Sequence, residues 1–156
     1  MLNIILYQPQ IPPNTGNVIR LTANTGITLH LVRPFGFKIN EKSLQRAGLD
    51  YHDMARVRIH NSLEACLKDL NAARLFAVTK YGQLNYAEAD FRRNDAILFG
   101  SETSGLPPKI LQTFETKKTL YIPMVPNNRS LNLSNAVAIV LYEAWRKIGF
   151  PKTKLY

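Results

Sequence analysis

The sequence predicts an α/β fold, a mostly parallel sheet with helices on both faces, and three observations carry that expectation. Five short apolar runs, Asn3–Tyr7, Leu29–Val32, Leu75–Thr79, Ala96–Phe99 and Leu120–Ile122, are each bounded by turn residues, as strands buried on both faces are. Helical patterns fill the gaps, so strand and helix alternate along the chain. The 156 residues, 46% of them hydrophobic, suit one domain spanning 1–156, with a core large enough to fold without disulfide staples.

The elements follow in order. A first helix starts after Pro12-Pro13-Asn14-Thr15-Gly16-Asn17 and stops at Gly26; a second covers Glu41–Ala47. A third, Ser62–Leu70, aligns Leu63, Cys66, Leu67 and Leu70 on one face, and a fourth begins at Pro107-Pro108. The last runs from Leu133 to Ile148 and ends at Gly149, with Arg146 and Lys147 favourably placed at its negative end. Its first half, Ala136 to Tyr142, is apolar nearly all round. It therefore needs cover from the sheet and from a second surface, which predicts a homodimer built on this helix, with Val140 or Tyr142 at the contact. The chain shows no internal repeat, linker or low-complexity segment.

Composition removes several function classes. A single cysteine, Cys66, excludes an internal disulfide framework and a cysteine cluster for zinc, and its place on the third helix reads as core packing. His30, His52 and His60 show no pair at zinc-motif spacing, so no metal is expected, and their expected roles are structural or at the surface. The N-terminus has no basic region before its short apolar run, and no window reaches the roughly 18 apolar residues of a membrane span, so a cytoplasmic protein with no membrane partner is expected. A net charge of +9 points to an anionic partner, with nucleic acid foremost.

Three polar loops follow strands. Asn14-Thr15-Gly16-Asn17-Val18-Ile19-Arg20 puts a glycine at a helix start and an arginine one turn on. Phe99-Gly100-Ser101-Glu102-Thr103-Ser104-Gly105 is a glycine loop with one carboxylate. Ile122-Pro123-Met124 leads through Asn127, Asn128, Ser130, Asn132, Ser134 and Asn135 into the last helix. One or two of these last residues would cap that helix, but six exceed that need. The loops lack G-x-G-x-x-G, the P-loop lysine and the G-x-S-x-G elbow, so dinucleotide, triphosphate and α/β-hydrolase readings lose their motif support.

Asn14-x-Gly16-x-x-x-Arg20, Phe99-Gly100-x-Glu102-x-x-Gly105 and Ile122-Pro123-Met124 with Ser130-Leu131-Asn132-x-Ser134 resemble, in order, the three signature motifs of the SPOUT RNA methyltransferases. The resemblance covers essentially the whole chain and is nearest to the branch that 2′-O-methylates the wobble cytidine or uridine of leucine tRNAs. It implies S-adenosylmethionine as co-substrate without a metal, tRNA as partner, a homodimer and a C-terminal deep trefoil knot. It places Arg20, Asn14, Glu102 and Asn132 in the catalytic machinery and Val78, Gly100, Ile122 and Ser130 at the donor. Arg20 matches an arginine often proposed as the base. A guanidinium with a pKa above about 12 abstracts protons poorly at neutral pH, so holding phosphate and hydroxyl is the expected role. Asn14 would hold the Arg20 loop, and Glu102 would orient Arg20 or loop amides. The basic and aromatic segment Arg46 to His52 has two readings, a capped helix end or a tRNA contact, and the residues do not require the second. The alternatives are a non-catalytic basic RNA-binding protein retaining the fold and an unrelated α/β nucleotide-binding enzyme. The first should have lost Arg20, Glu102 or Asn132, and all are present; the second needs a metal ligand pair or a P-loop.

Overall fold

The computed structural model describes residues 1–38, 51–70 and 74–151. In chain order it contains β1 (Asn3–Tyr7), α1 (Pro12–Thr25), β2 (Thr28–Val32), a single turn α2 (Tyr51–Met54), β3 (Val57–His60), α3 (Leu63–Asp69), β4 (Leu75–Val78), β5 (Leu84–Asn85), β6 (Ala96–Phe99), a single turn α4 (Pro108–Leu111), β7 (Thr119–Tyr121) and α5 (Leu133–Lys147). The expected Glu41–Ala47 helix and most of the Arg46–His52 segment lie outside the described residues.

The seven strands form one sheet in the order β3-β2-β1-β6-β4-β7-β5, and every pairing is parallel. Period-two alternation sends residues to two different cores. Ile4, Leu6, Leu29, Leu31, Phe76, Ile97 and Phe99 face Val18 and Ile19 of α1 and Val137, Val140, Leu141 and Ala144 of α5. Ile5, Val32, Ala77, Ala96 and Leu98 face Leu63 and Cys66 of α3, with Leu106. Each fully buried Leu, Ile, Val or Phe contributes about 1.5–3 kcal/mol relative to exposure, so the larger α1–α5 side carries most of the core. No described helix is long and apolar enough to cross a membrane.

Local chemistry explains the element ends. Pro12 opens α1, where its missing N–H costs nothing, and Gly26 closes it in the left-handed region at φ 68°. Ser62 caps α3 by accepting from the Ala65 amide at 3.1 Å.

Several expectations need correction. The last strand ends at Tyr121, leaving Ile122 in the loop beyond it; the fourth helix does begin at Pro108, and it is one turn long. Leu67 is exposed, not part of the buried α3 face. β3 and β5 escape the sequence reading because they are the sheet's two edges. There β3 exposes Arg58 and Ile59, and β5 has two residues, so neither shows a buried apolar run. Of the two roles open to the histidines, structural or at the surface, His30 and His60 take the first: both are buried, and His30 Nδ1 lies 3.0 Å from His60 Nε2 with the rings stacked.

Candidate functional site

β1 lies between β2, its successor, and β6, which follows far later, so the chain changes direction across the sheet at the β1–β6 pair. The loops leaving these two strands part there and open a crevice, the usual binding position in parallel α/β sheets. A cavity of about 460 Å³ occupies that end. It is walled by the ends of β4 and β6, the 100–105 loop, the segment after β7 and the start of α5.

One chain of hydrogen bonds organises it. Glu102 accepts from the Gln10 amide at 2.8 Å, the Ile11 amide at 3.1 Å and Asn14 Nδ2 at 3.1 Å. These donors sit at the entry to α1, where the helix dipole also favours a carboxylate. Because Asn14 Nδ2 is spent on Glu102, its Oδ1 is an acceptor, and Asn132 Nδ2 donates to it at 2.8 Å. Asn132 Oδ1 must then accept, and it caps α5 by receiving the Ser134 amide and hydroxyl at 2.9 and 2.7 Å and the Asn135 amide at 3.4 Å. The result is a one-way relay of donors from the start of α5 through two asparagines into one carboxylate. It ties three segments together and fixes both amide orientations.

The glycine loop is closed just as tightly. Ser101 and Gly105 exchange backbone hydrogen bonds at 2.9 and 3.2 Å, and Gly105 takes φ 66°. A Cβ placed on Gly100 would collide with the Gly105 backbone, so only glycine lets the turn fold back on itself.

Seven of the eight residues singled out from sequence line this cavity: Asn14, Val78, Gly100, Glu102, Ile122, Ser130 and Asn132. Arg20 does not; it is exposed on α1. Sequence reading missed Lys80 and Tyr81 and gave Thr79 only as a strand end; Met124 and Leu131, quoted within the third motif without a role of their own, bring apolar contact. The β4 end at Val78 was the available signal, since the residues after a strand end are the ones a crevice exposes.

A parallel sheet whose strand ends enclose a cavity of glycine turns and short polar side chains defines an α/β protein built to hold a small organic molecule. Residues 1–142 match the SpoU rRNA Methylase family, and the chain belongs to that family. It is 52% identical over 150 residues to a tRNA (cytidine(34)-2′-O)-methyltransferase of Methylovorus glucosotrophus, covering 96% of this chain and 97% of that one. A solved structure described as giving insights into the 2-OH methylation of C/U34 on tRNA superposes with TM-score 0.86 at 46% identity, covering 94% of this chain and 95% of the other. An AdoMet-bound rRNA methyltransferase from Sinorhizobium meliloti superposes with TM-score 0.78 at 25% identity, over 93% of this chain and 56% of that one.

Proposed function

We propose that this protein transfers the methyl group of S-adenosylmethionine to the ribose 2′-hydroxyl of the wobble nucleotide of tRNA, cytidine or modified uridine at position 34, with leucine tRNAs as its substrates. The observation that carries the reading is the cavity itself. Its size, its self-closed glycine turn and its short polar lining suit an adenosine with a small zwitterionic chain.

The residues present fit that donor. Backbone groups at Val78, Gly100 and Ile122 are available at strand ends to hold the adenosine and methionine parts, and Ser130 and Asn132 add polar contacts. When bound, the donor supplies an electrophilic methyl on a sulfonium, so no acid is required to create the leaving group. The protein's work is then to position and to hold charge. Glu102 and Asn14 keep the α1 entry fixed against the start of α5. Arg20 holds a substrate phosphate and the 2′-hydroxyl with its forked guanidinium, and that phosphate takes the hydroxyl proton as attack proceeds.

Arg20 lies outside the cavity lining of its own chain, which supports a homodimer in which one protomer's arginine serves its partner's donor. α5 offers the surface for it. Val140 is fully buried within the chain, whereas Asn135, Ala138, Ile139 and Tyr142 form an outward stripe with Tyr142 47% exposed. Met124, Val125 and Leu131 are exposed as well.

Calorimetry with S-adenosylmethionine, followed by mapping of ribose methylation in tRNA from a strain lacking the gene, tests the reading. Donor binding and loss of the modification at position 34 are expected; a folded protein giving no heat with donor or its demethylated product overturns it. Tyr142→Glu should shift the protein toward monomer in sedimentation and lower methylation in step. Val140→Asp should instead unfold it by burying an unpaired charge.

A further inference from the structure

Outside the cavity, the described residues hold a second cluster of chemistry-bearing side chains at the opposite core. His30 on β2 pairs in register with Arg58, and Val32 with His60, so the two histidines stand two residues apart diagonally on one face of adjacent parallel strands. α3 packs on that face and delivers Cys66. The three ligand atoms lie within 4.8 Å of one another, and the residues are 3%, 9% and 0% exposed. Sequence spacing hides the grouping, because strand register rather than a local motif creates it.

We propose that His30, His60 and Cys66 bind one Zn²⁺ ion. Bond lengths of about 2.0–2.1 Å to nitrogen and about 2.3 Å to sulfur separate tetrahedral donors by roughly 3.3–3.7 Å. His30 Nδ1 and His60 Nε2 are already 3.0 Å apart, so small ring rotations open the space. His30 Nε2 faces Asn3 Oδ1 at 3.4 Å, and an N–H there makes Nδ1 the acceptor of the His60 Nε2 proton; the ion takes that proton's place as His60 shifts to its Nδ1–H tautomer. Burial lowers His30 to about 4 and raises Cys66 to about 12, so both are neutral beforehand. Coordination of the sulfur therefore releases one proton to solvent as a zinc–thiolate bond replaces the S–H. Asp69, one turn after Cys66, adds negative charge near all three groups, while Arg58 is the opposing cation near the two histidines, and water fills the fourth position. The residual exposure of His60 gives the ion its way in. The bound ion would pin the edge strand β3 and helix α3 to the sheet.

The test needs no methylation assay. Chelator-stripped full-length protein is titrated with Co²⁺ as a spectroscopic probe and then with Zn²⁺. Expected are a thiolate-to-cobalt charge-transfer band, the intense visible bands of tetrahedral cobalt, displacement by zinc and a zinc-dependent rise in melting temperature. Cys66→Ala should lose the charge-transfer band, and Asn3→Ala should weaken binding by about 10- to 100-fold. If Cys66→Ala fails to fold, His60→Gln at the sheet edge serves instead, losing the tetrahedral spectrum and the thermal rise. A folded protein without the charge-transfer band, a band that survives Cys66→Ala, or full zinc stabilisation of His60→Gln each overturns the proposal.

Discussion

The two polar clusters of this molecule solve the same problem in opposite ways. At the carboxyl end of the sheet, Glu102, Asn14 and Asn132 satisfy one another and five backbone or hydroxyl donors in a directed relay, so nothing in it is left to rearrange. At the β2–β3 edge, two imidazoles share a single contact beside a thiol that burial keeps protonated. The difference teaches that polar groups beside a binding cavity need not be its chemistry. The first cluster spends its hydrogen-bonding capacity on shaping the cavity, whereas the second holds one exchangeable proton between two ring nitrogens beside a thiol.

The largest effect expected separates shape from chemistry. Arg20→Ala should lower methyl transfer by at least about 10²–10³-fold, the loss typical of one transition-state donor, while donor binding and melting temperature stay near wild type. Single-turnover assay beside calorimetry checks it, and near-normal turnover would remove Arg20 from the mechanism.

Glu102→Gln comes next. It is isosteric, yet a glutamine presents one oxygen where the relay supplies donors to two, so at least one amide is left facing an N–H. A loss of about 1–3 kcal/mol in denaturant unfolding is expected, with weaker donor binding. Unchanged stability would mean that the relay relaxes freely. Asn132→Ala removes the α5 cap and the bond to Asn14, and should cost about 1 kcal/mol, read from the same unfolding curves.

The smallest change belongs to the other cluster. In metal-free protein, His60→Gln should cost less than about 1 kcal/mol, because the glutamine amide can still donate to His30 and the ring stacking is what is lost. A cost as large as that of Glu102→Gln would show that the imidazole pair is itself structural.

Much of the first cluster was legible in the sequence because its residues sit where a short apolar run stops and short polar residues begin. Gly100, Glu102 and Asn132 announce a turn, an isolated charge and a helix cap by residue type alone. What was not legible is which loops meet. That Glu102 reaches Gln10 and Asn14 depends on β6 lying beside β1, and strand order is not a local property. The same reason hid His30 from His60, since β3 carries an exposed arginine and isoleucine and reads as loop. Arg20 shows the opposite limit. Its motif spacing was plain, but its exposure on α1 puts it outside the cavity that its neighbours line.

The Asn132–Asn14 bond spans 118 residues and the Glu102–Gln10 bond spans 92. Loop closure on that scale is unfavourable until both partners are in place, so such contacts are rewarded late in folding. A ribosome that has released only the first hundred residues has made most of the sheet but neither Glu102 nor Asn132. Competence to hold the donor thus arrives with the final quarter of the chain, once the last helix has docked and closed the cavity.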